Sequence, residues 1–128
     1  MKIILSIKPE FATKIFEGDK KFEFRRSIFK NKNVSKVIVY ASSPISKVIG
    51  EFEIGKILFK DLNTLWDETK EYSGITKDYF YDYFVGKEHG FALEVKRVKR
   101  YEKELCIKES FGKAPPQSFA YYEESTMP

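Results

Sequence analysis

The stretch Gly18-Asp19-Lys20-Lys21-Phe22-Glu23-Phe24-Arg25-Arg26 decides how this chain is read. After the glycine, charged and aromatic side chains alternate with the period of two that belongs to a β-strand. Lys21, Glu23 and Arg25 then share one face, and Lys20, Phe22 and Phe24 the other. Phe22 and Phe24 are expected in the core, while Lys20, at the mouth of the strand, is expected to escape that face along its flexible stem. With Lys30 just beyond, five basic side chains surround the single Glu23. This is where an anionic or polar ligand would meet the protein. The same pattern also describes an ordinary edge strand with charged outward positions.

Upstream, Ile3 to Ile7 reads as a short strand ended by Lys8-Pro9. Pro9 suits the first turn of a helix through Ala12, Ile15 and Phe16, and Gly18 is the expected helix stop. The order strand, helix, glycine, charged strand puts Lys8 and Lys20 near one end and makes a shared cleft possible. Downstream, Lys36 to Ala41 contains Val-Ile-Val-Tyr and reads as a buried strand before the turn Ser42-Ser43-Pro44. A further strand covers Lys47 to Ile57, where Gly50 and Gly55 mark a bulge or a close backbone approach. Glu51 and Glu53 share its parity; either would serve as a general base if enclosed, although an exposed strand glutamate ordinarily only adds solubility.

From Asp61 the period changes. Leu62, Leu65 and Trp66 suit one short helix, and Thr76 to Phe84 a second, with Tyr79, Phe80, Tyr83 and Phe84 at helical spacings. Core packing accounts for most of these aromatics, with base stacking as the competing use. His89 lies in a glycine-bounded turn without cysteine or histidine neighbours, so a surface role outweighs a catalytic one. Phe91 to Val98 reads as a strand that carries a second basic cluster, Lys96, Arg97, Lys99 and Arg100. The two clusters cooperate on one phosphate backbone only if they share a side. In the tail, Gln117 and Ser118 have donors and acceptors that suit a base edge, and Phe119, Tyr121 or Tyr122 would stack on it; the simpler reading has Phe119 and Tyr122 pin the tail to the fold.

The chain has 128 residues, enough for a single domain over its whole length with a hydrophobic core. Its hydrophobic fraction of 42% includes 12 Phe and 8 Tyr, so aromatic packing should dominate that core. No apolar run reaches the roughly 18 residues that span a bilayer, and Met1 to Phe11 lacks the features of a secretory signal, which leads to the expectation of a soluble, cytoplasmic protein with no membrane partner. The lone Cys106 makes no internal disulfide and no metal site by itself; it reads as a partly buried thiol, and nothing in the sequence calls for a metal or cofactor. A net charge of +4, from 23 basic and 19 acidic residues, suits a phosphate-bearing partner as well as a mixed surface.

Taken together, Ser6 to Arg26, Val37 to Ile57, Gly90 to Tyr101 and Pro115 to Tyr122 resemble the ASCH family of the PUA-like superfold, over roughly residues 3 to 122. The most specific part is the glycine, lysine and strand arginine that fall on Gly18, Lys20 and Arg25. The resemblance implies a mixed α and β fold, mainly β: a five- or six-stranded, partly open barrel with flanking short helices and a cleft beside the glycine-lysine strand. It is closest in character to a branch described as predicted transcriptional regulators. Other members are said to hydrolyse N4-acetylcytidine with a lysine, a threonine nucleophile and a glutamate, or to act as ribonucleases. Lys20 matches that lysine, but Glu23 stands where the threonine is expected, and a carboxylate does not replace a hydroxyl that must carry an acyl group.

Three functions follow. The one that asks least of the sequence is a nucleic-acid-binding module, for RNA before DNA or for a modified nucleotide. In it Lys20, Lys21, Arg25 and Arg26 hold the backbone, while Ser6, Lys8, Ser42, Ser43 and Gln117 receive a base. The second is a small hydrolase of an acylated nucleoside or RNA, with Glu23 or Glu51 activating water and Lys20 tuning that acid or holding an oxyanion. The third is a regulatory domain whose charged strands recognise an acidic protein.

Overall fold

A computed structural model describes residues 1–123. The apolar run after Met1 forms β1 (Lys2–Ile7), and its alternate side chains feed two cores: Ile3, Leu5 and Ile7 point to one, Ile4 to another. Helix α1 (Pro9–Glu17) follows, with proline in its first turn, and stops at Gly18, whose φ of 87° favours a residue without Cβ. The charged strand is β2 (Phe22–Arg25), and the Val-Ile-Val-Tyr run is β3 (Lys36–Ala41). β4 (Lys47–Asp61) leads into α2 (Leu62–Thr69), where Asp61 caps the helix by accepting from the Thr64 backbone N–H. After a 3-10 turn, Thr76 caps α3 (Lys77–Tyr83) in the same way. β5 (His89–Leu105), α4 (Ile107–Phe111) and β6 (Phe119–Tyr122) complete the order.

The six strands form one sheet in the order β2-β5-β4-β3-β1-β6. β1 and β3 run parallel and the other neighbours antiparallel. β2 and β6 are the edges and do not pair with each other. The fold is thus mixed α and β, mainly strand, with a sheet that does not close. Curvature comes where β4 and β5 slip register, at Gly50 and near Gly55. A Cβ on Gly50 would lie 2.6 Å from both the Lys99 carbonyl oxygen and the Phe16 ring, so the sheet bends onto α1 only because that position is glycine.

Helix α1 packs on one face with Leu93, Phe52 and Ile49. α2 and α3 cover the other face beside β2, where Phe24, Leu65, Phe80, Phe84 and Ala92 make an aromatic core. β4 and β5 extend four and seven residues past the expected ends at Ile57 and Val98. The outer arm of β5 carries mainly charged, exposed side chains, and that of β4 combines Leu58 and Phe59 with Lys60 and Asp61, so backbone pairing continues where the apolar alternation fades. The tail is pinned as expected: Phe119 meets Phe29 edge-on and Tyr122 meets Phe111. No helix among the described residues is long and apolar enough to cross a membrane.

Candidate functional site

The free edge of β2 forms one wall of a cleft of about 470 Å³. The end of β1 supplies Ser6 and Lys8, α1 supplies Phe11, and α3 supplies Tyr79 and Tyr83; Gln117 and Ser118 close it from the tail. Lys20, Glu23, Arg25 and Arg26 line the same space. The spatial meeting of Lys8 and Lys20 expected from the element order is therefore real.

Lys20 is placed otherwise than its long stem suggested. It does not escape to solvent: it is 2% exposed, and its Nζ donates to the Ser73 carbonyl at 2.6 Å. The ammonium lies over the rings of Phe24 at 4.9 Å and Phe11 at 5.4 Å. Its stem runs against Gly74, where a Cβ would fall 2.6 Å from Lys20 Cβ and Cγ. Burial pulls the Lys20 pKa down to about 8; the Glu23 carboxylate opposes that fall and Lys14 adds to it.

Glu23 is buried as well, and Arg25 holds it, with Nη1 3.3 Å from Glu23 Oε2. The other guanidinium nitrogen, Nη2, donates to Ser118 Oγ at 2.7 Å. The tail is sewn to β1 by two further bonds: the Ser6 hydroxyl donates to the Pro116 carbonyl, and the Ser6 N–H to the Ser118 carbonyl at 3.3 Å. On the opposite wall the Tyr83 hydroxyl donates to the Phe24 carbonyl at 3.1 Å, and burial raises its pKa against the pull of Arg25. Arg26 Nη1 donates to the carbonyls of Tyr83 and Val85 at 2.8 and 2.7 Å, which fastens the end of α3 to β2.

Of the residues singled out in the sequence, Ser6, Lys8, Lys20, Glu23, Arg25, Arg26 and Gln117 meet at the cleft. Lys21 does not line it; its ammonium sits 4.1 Å from the Tyr72 ring centroid. Ser42 and Ser43, in the turn after β3, are also outside the lining. Glu51 lies on β4 away from the cleft, accepting from the Tyr101 hydroxyl at 2.8 Å and facing Lys2 and Lys36. The second basic cluster does not line the cleft either; within it, Arg97 pairs with Glu53 on the neighbouring strand. Phe11 was not foreseen, because a single aromatic on an amphipathic helix gives no separate signal. Of the four aromatics expected mostly in the core, Phe80 and Phe84 are buried, whereas Tyr79 and Tyr83 line the cleft. Among the described residues no three His, Cys, Asp or Glu side chains cluster as metal ligands.

A bent mixed sheet thus carries, at its unpaired β2 edge, a cleft lined by charged and aromatic side chains. The chain belongs to the ASCH domain family, whose model matches residues 5–123. An ASCH domain-containing ribonuclease of Zymomonas mobilis is 35% identical over 90 residues, which cover 70% of this chain and 61% of that protein. ATP synthase subunit alpha of Ureaplasma parvum serovar 3 is 31% identical over 121 residues, 93% of this chain but 15% of that protein. The chain thus spans less than two thirds of the length of these curated relatives. The crystal structure of ASCH from Zymomonas mobilis matches with a TM-score of 0.88 at 29% identity, covering 96% of this chain and 88% of that one. A tyrosine-to-phenylalanine variant of that protein matches with the same TM-score of 0.88.

Proposed function

We propose that this chain binds RNA, with one nucleotide seated in the cleft along β2. The observation that carries the reading is the convergence of Lys8 and Arg25 with Phe11, Tyr79 and Tyr83 around one cavity of about 470 Å³. Cations neutralise phosphate and aromatic faces take a base of any sequence. The ribonuclease name of the Zymomonas mobilis relative supports RNA as the partner. Lys20 acts from beneath, as a buried charge behind the base, and Gln117 offers an amide to the base edge.

The lowering of the Lys20 pKa to about 8 at a cleft that Glu23 also lines favours a second reading, RNA cleavage, because an ammonium that gives up its proton more readily than usual suits a general acid and a nearby carboxylate suits a general base. In it Glu23 takes the proton of the ribose 2′-hydroxyl as that oxygen attacks the adjacent phosphorus. The bond to the 5′ oxygen breaks, Lys20 protonates that leaving oxygen, and a 2′,3′-cyclic phosphate remains. Arg25, already beside Glu23, holds the phosphate's extra charge.

A polarisation titration with matched single- and double-stranded RNA and DNA across a salt series tests the binding. Wild type is expected to prefer RNA, and Lys8→Ala and Arg25→Ala each to weaken it and flatten the salt slope by about one. Unchanged affinity and slope in both folded variants removes the cleft from the interface. Gel analysis of end-labelled RNA tests cleavage, which must disappear in Glu23→Gln.

A further inference from the structure

The cleft is not the end of the surface on which Arg25 sits. In the sheet register Arg25 lies opposite Phe91 on β5, and Phe91 lies opposite Phe59 on β4. Side chains directly opposite on neighbouring strands share a face, so this row runs from the cleft across two strand spacings, about 10 Å. At its end Phe59 is 56% exposed. Its ring meets Phe91 at 4.5 Å, and the His89 imidazole is stacked on it at 5.2 Å with planes only 21° apart. Ile57, 43% exposed, lies on the same face two residues earlier. The other face of β4 is satisfied, since Leu58 packs with Leu65 and Phe22 beneath α2. Core packing therefore explains Leu58 and leaves Phe59 unexplained. A large aromatic ring more than half exposed and packed against two other rings, beside the exposed Ile57, marks an interaction surface.

We infer that Phe59, with His89 and Phe91 behind it, is a stacking shelf for the base next to the one in the cleft. This rests on the RNA reading proposed for the cleft itself. The shelf presents one exposed ring held by a stacked imidazole and a tilted phenyl ring, which fits a planar base better than a folded protein surface. Its row also begins at a guanidinium, which suits the phosphate that links two nucleotides. A gap of about 10 Å between Arg25 and Phe59 is within the reach of one sugar-phosphate step and its bases.

The test measures wild type, Phe59→Ala, Phe59→Trp and Arg25→Ala by polarisation with a labelled single-stranded RNA octamer, and by competition with the same four bases as nucleoside monophosphates. Phe59→Ala is expected to bind the octamer about tenfold more weakly, with the salt slope and mononucleotide competition unchanged. Phe59→Trp should bind at least as well as wild type, with its indole fluorescence altered by the octamer. Wild-type octamer affinity in Phe59→Ala, while Arg25→Ala still loses binding, overturns the shelf and leaves the cleft standing. No RNA binding by wild type overturns both. A change in sedimentation in Phe59→Ala without loss of RNA affinity also overturns the shelf, by assigning the patch to contact between copies of the chain.

Discussion

The ammonium of Lys20 donates a hydrogen bond of 2.6 Å to the carbonyl of Ser73, 53 residues away in the chain. That bond holds a charge beneath the floor of the cleft, between the rings of Phe11 and Phe24, where water does not screen it. Lys20 therefore combines two tasks: it fills core volume with its stem and sets the potential of the cavity with its head.

These tasks separate in substitution. Lys20→Met keeps most of the stem's volume and is expected to stay within about 2 kcal/mol of wild type in denaturant unfolding. Lys20→Ala leaves a cavity beside Gly74 and should cost about 2–4 kcal/mol. Both should lose RNA affinity; equal stabilities would mean that the stem contributes no packing.

The lowered pKa predicts a pH dependence. The unfolded lysine titrates near 10.5 and the folded one near 8, so between these values the unfolded chain binds more protons and stability rises with pH. The cost of burying the charge is present at neutral pH and is relieved as pH climbs through 8. Wild type should therefore gain on Lys20→Met by up to about 3 kcal/mol between pH 7 and 10.5 in urea titrations. A constant difference between the two would place the Lys20 titration outside this window.

Gly74→Ala attacks the same contact from the other side. Gly74 has φ of +69° and no room for a methyl group against the Lys20 stem. We expect a loss of about 1–3 kcal/mol together with weaker RNA binding, read by thermal unfolding and polarisation.

Arg25 and Arg26 are neighbours in sequence with different work. Arg25 faces Glu23 and Ser118, whereas Arg26 is spent on the carbonyls of Tyr83 and Val85. Arg25→Ala should reduce the salt slope of RNA binding by about one. Arg26→Ala should leave the slope close to wild type and instead lower the melting temperature, through loss of the clamp on α3. Equal slopes for the two variants would contradict this division.

Glu51→Gln should leave both RNA affinity and any RNA cleavage at wild-type level. Glu51 is engaged by Tyr101, Lys2 and Lys36 away from the cleft. A loss of cleavage in a folded Glu51→Gln protein would return that carboxylate to the site.

Much of the scaffold was legible before any coordinates. Pro9 and Gly18 bound α1, the β3 range Lys36–Ala41 is the one its apolar run predicts, and Gly50 and Gly55 mark register shifts. The outer arms of β4 and β5 and the short β6 were less visible, because backbone pairing with a neighbour extends a strand without any periodic apolar signal. The same limit applied to the site. Lys8, Lys20, Glu23 and Arg25 stood out by type and local order, while Ser42, Ser43, Lys21 and Glu51 carried equally suitable groups that the fold directs elsewhere.

The sequence by itself determined the order of elements, the glycine stops and the alternation that makes residues 22–25 an edge strand, because periodicity, capping and turn chemistry act over a few residues. Only the tertiary structure decided that Lys20 is buried, that Arg25 reaches Ser118 across 93 residues, and that Phe59 rather than Leu58 is left in water. Those outcomes depend on what chain segments distant in sequence place on each side of a strand, and no local pattern of residues contains that information.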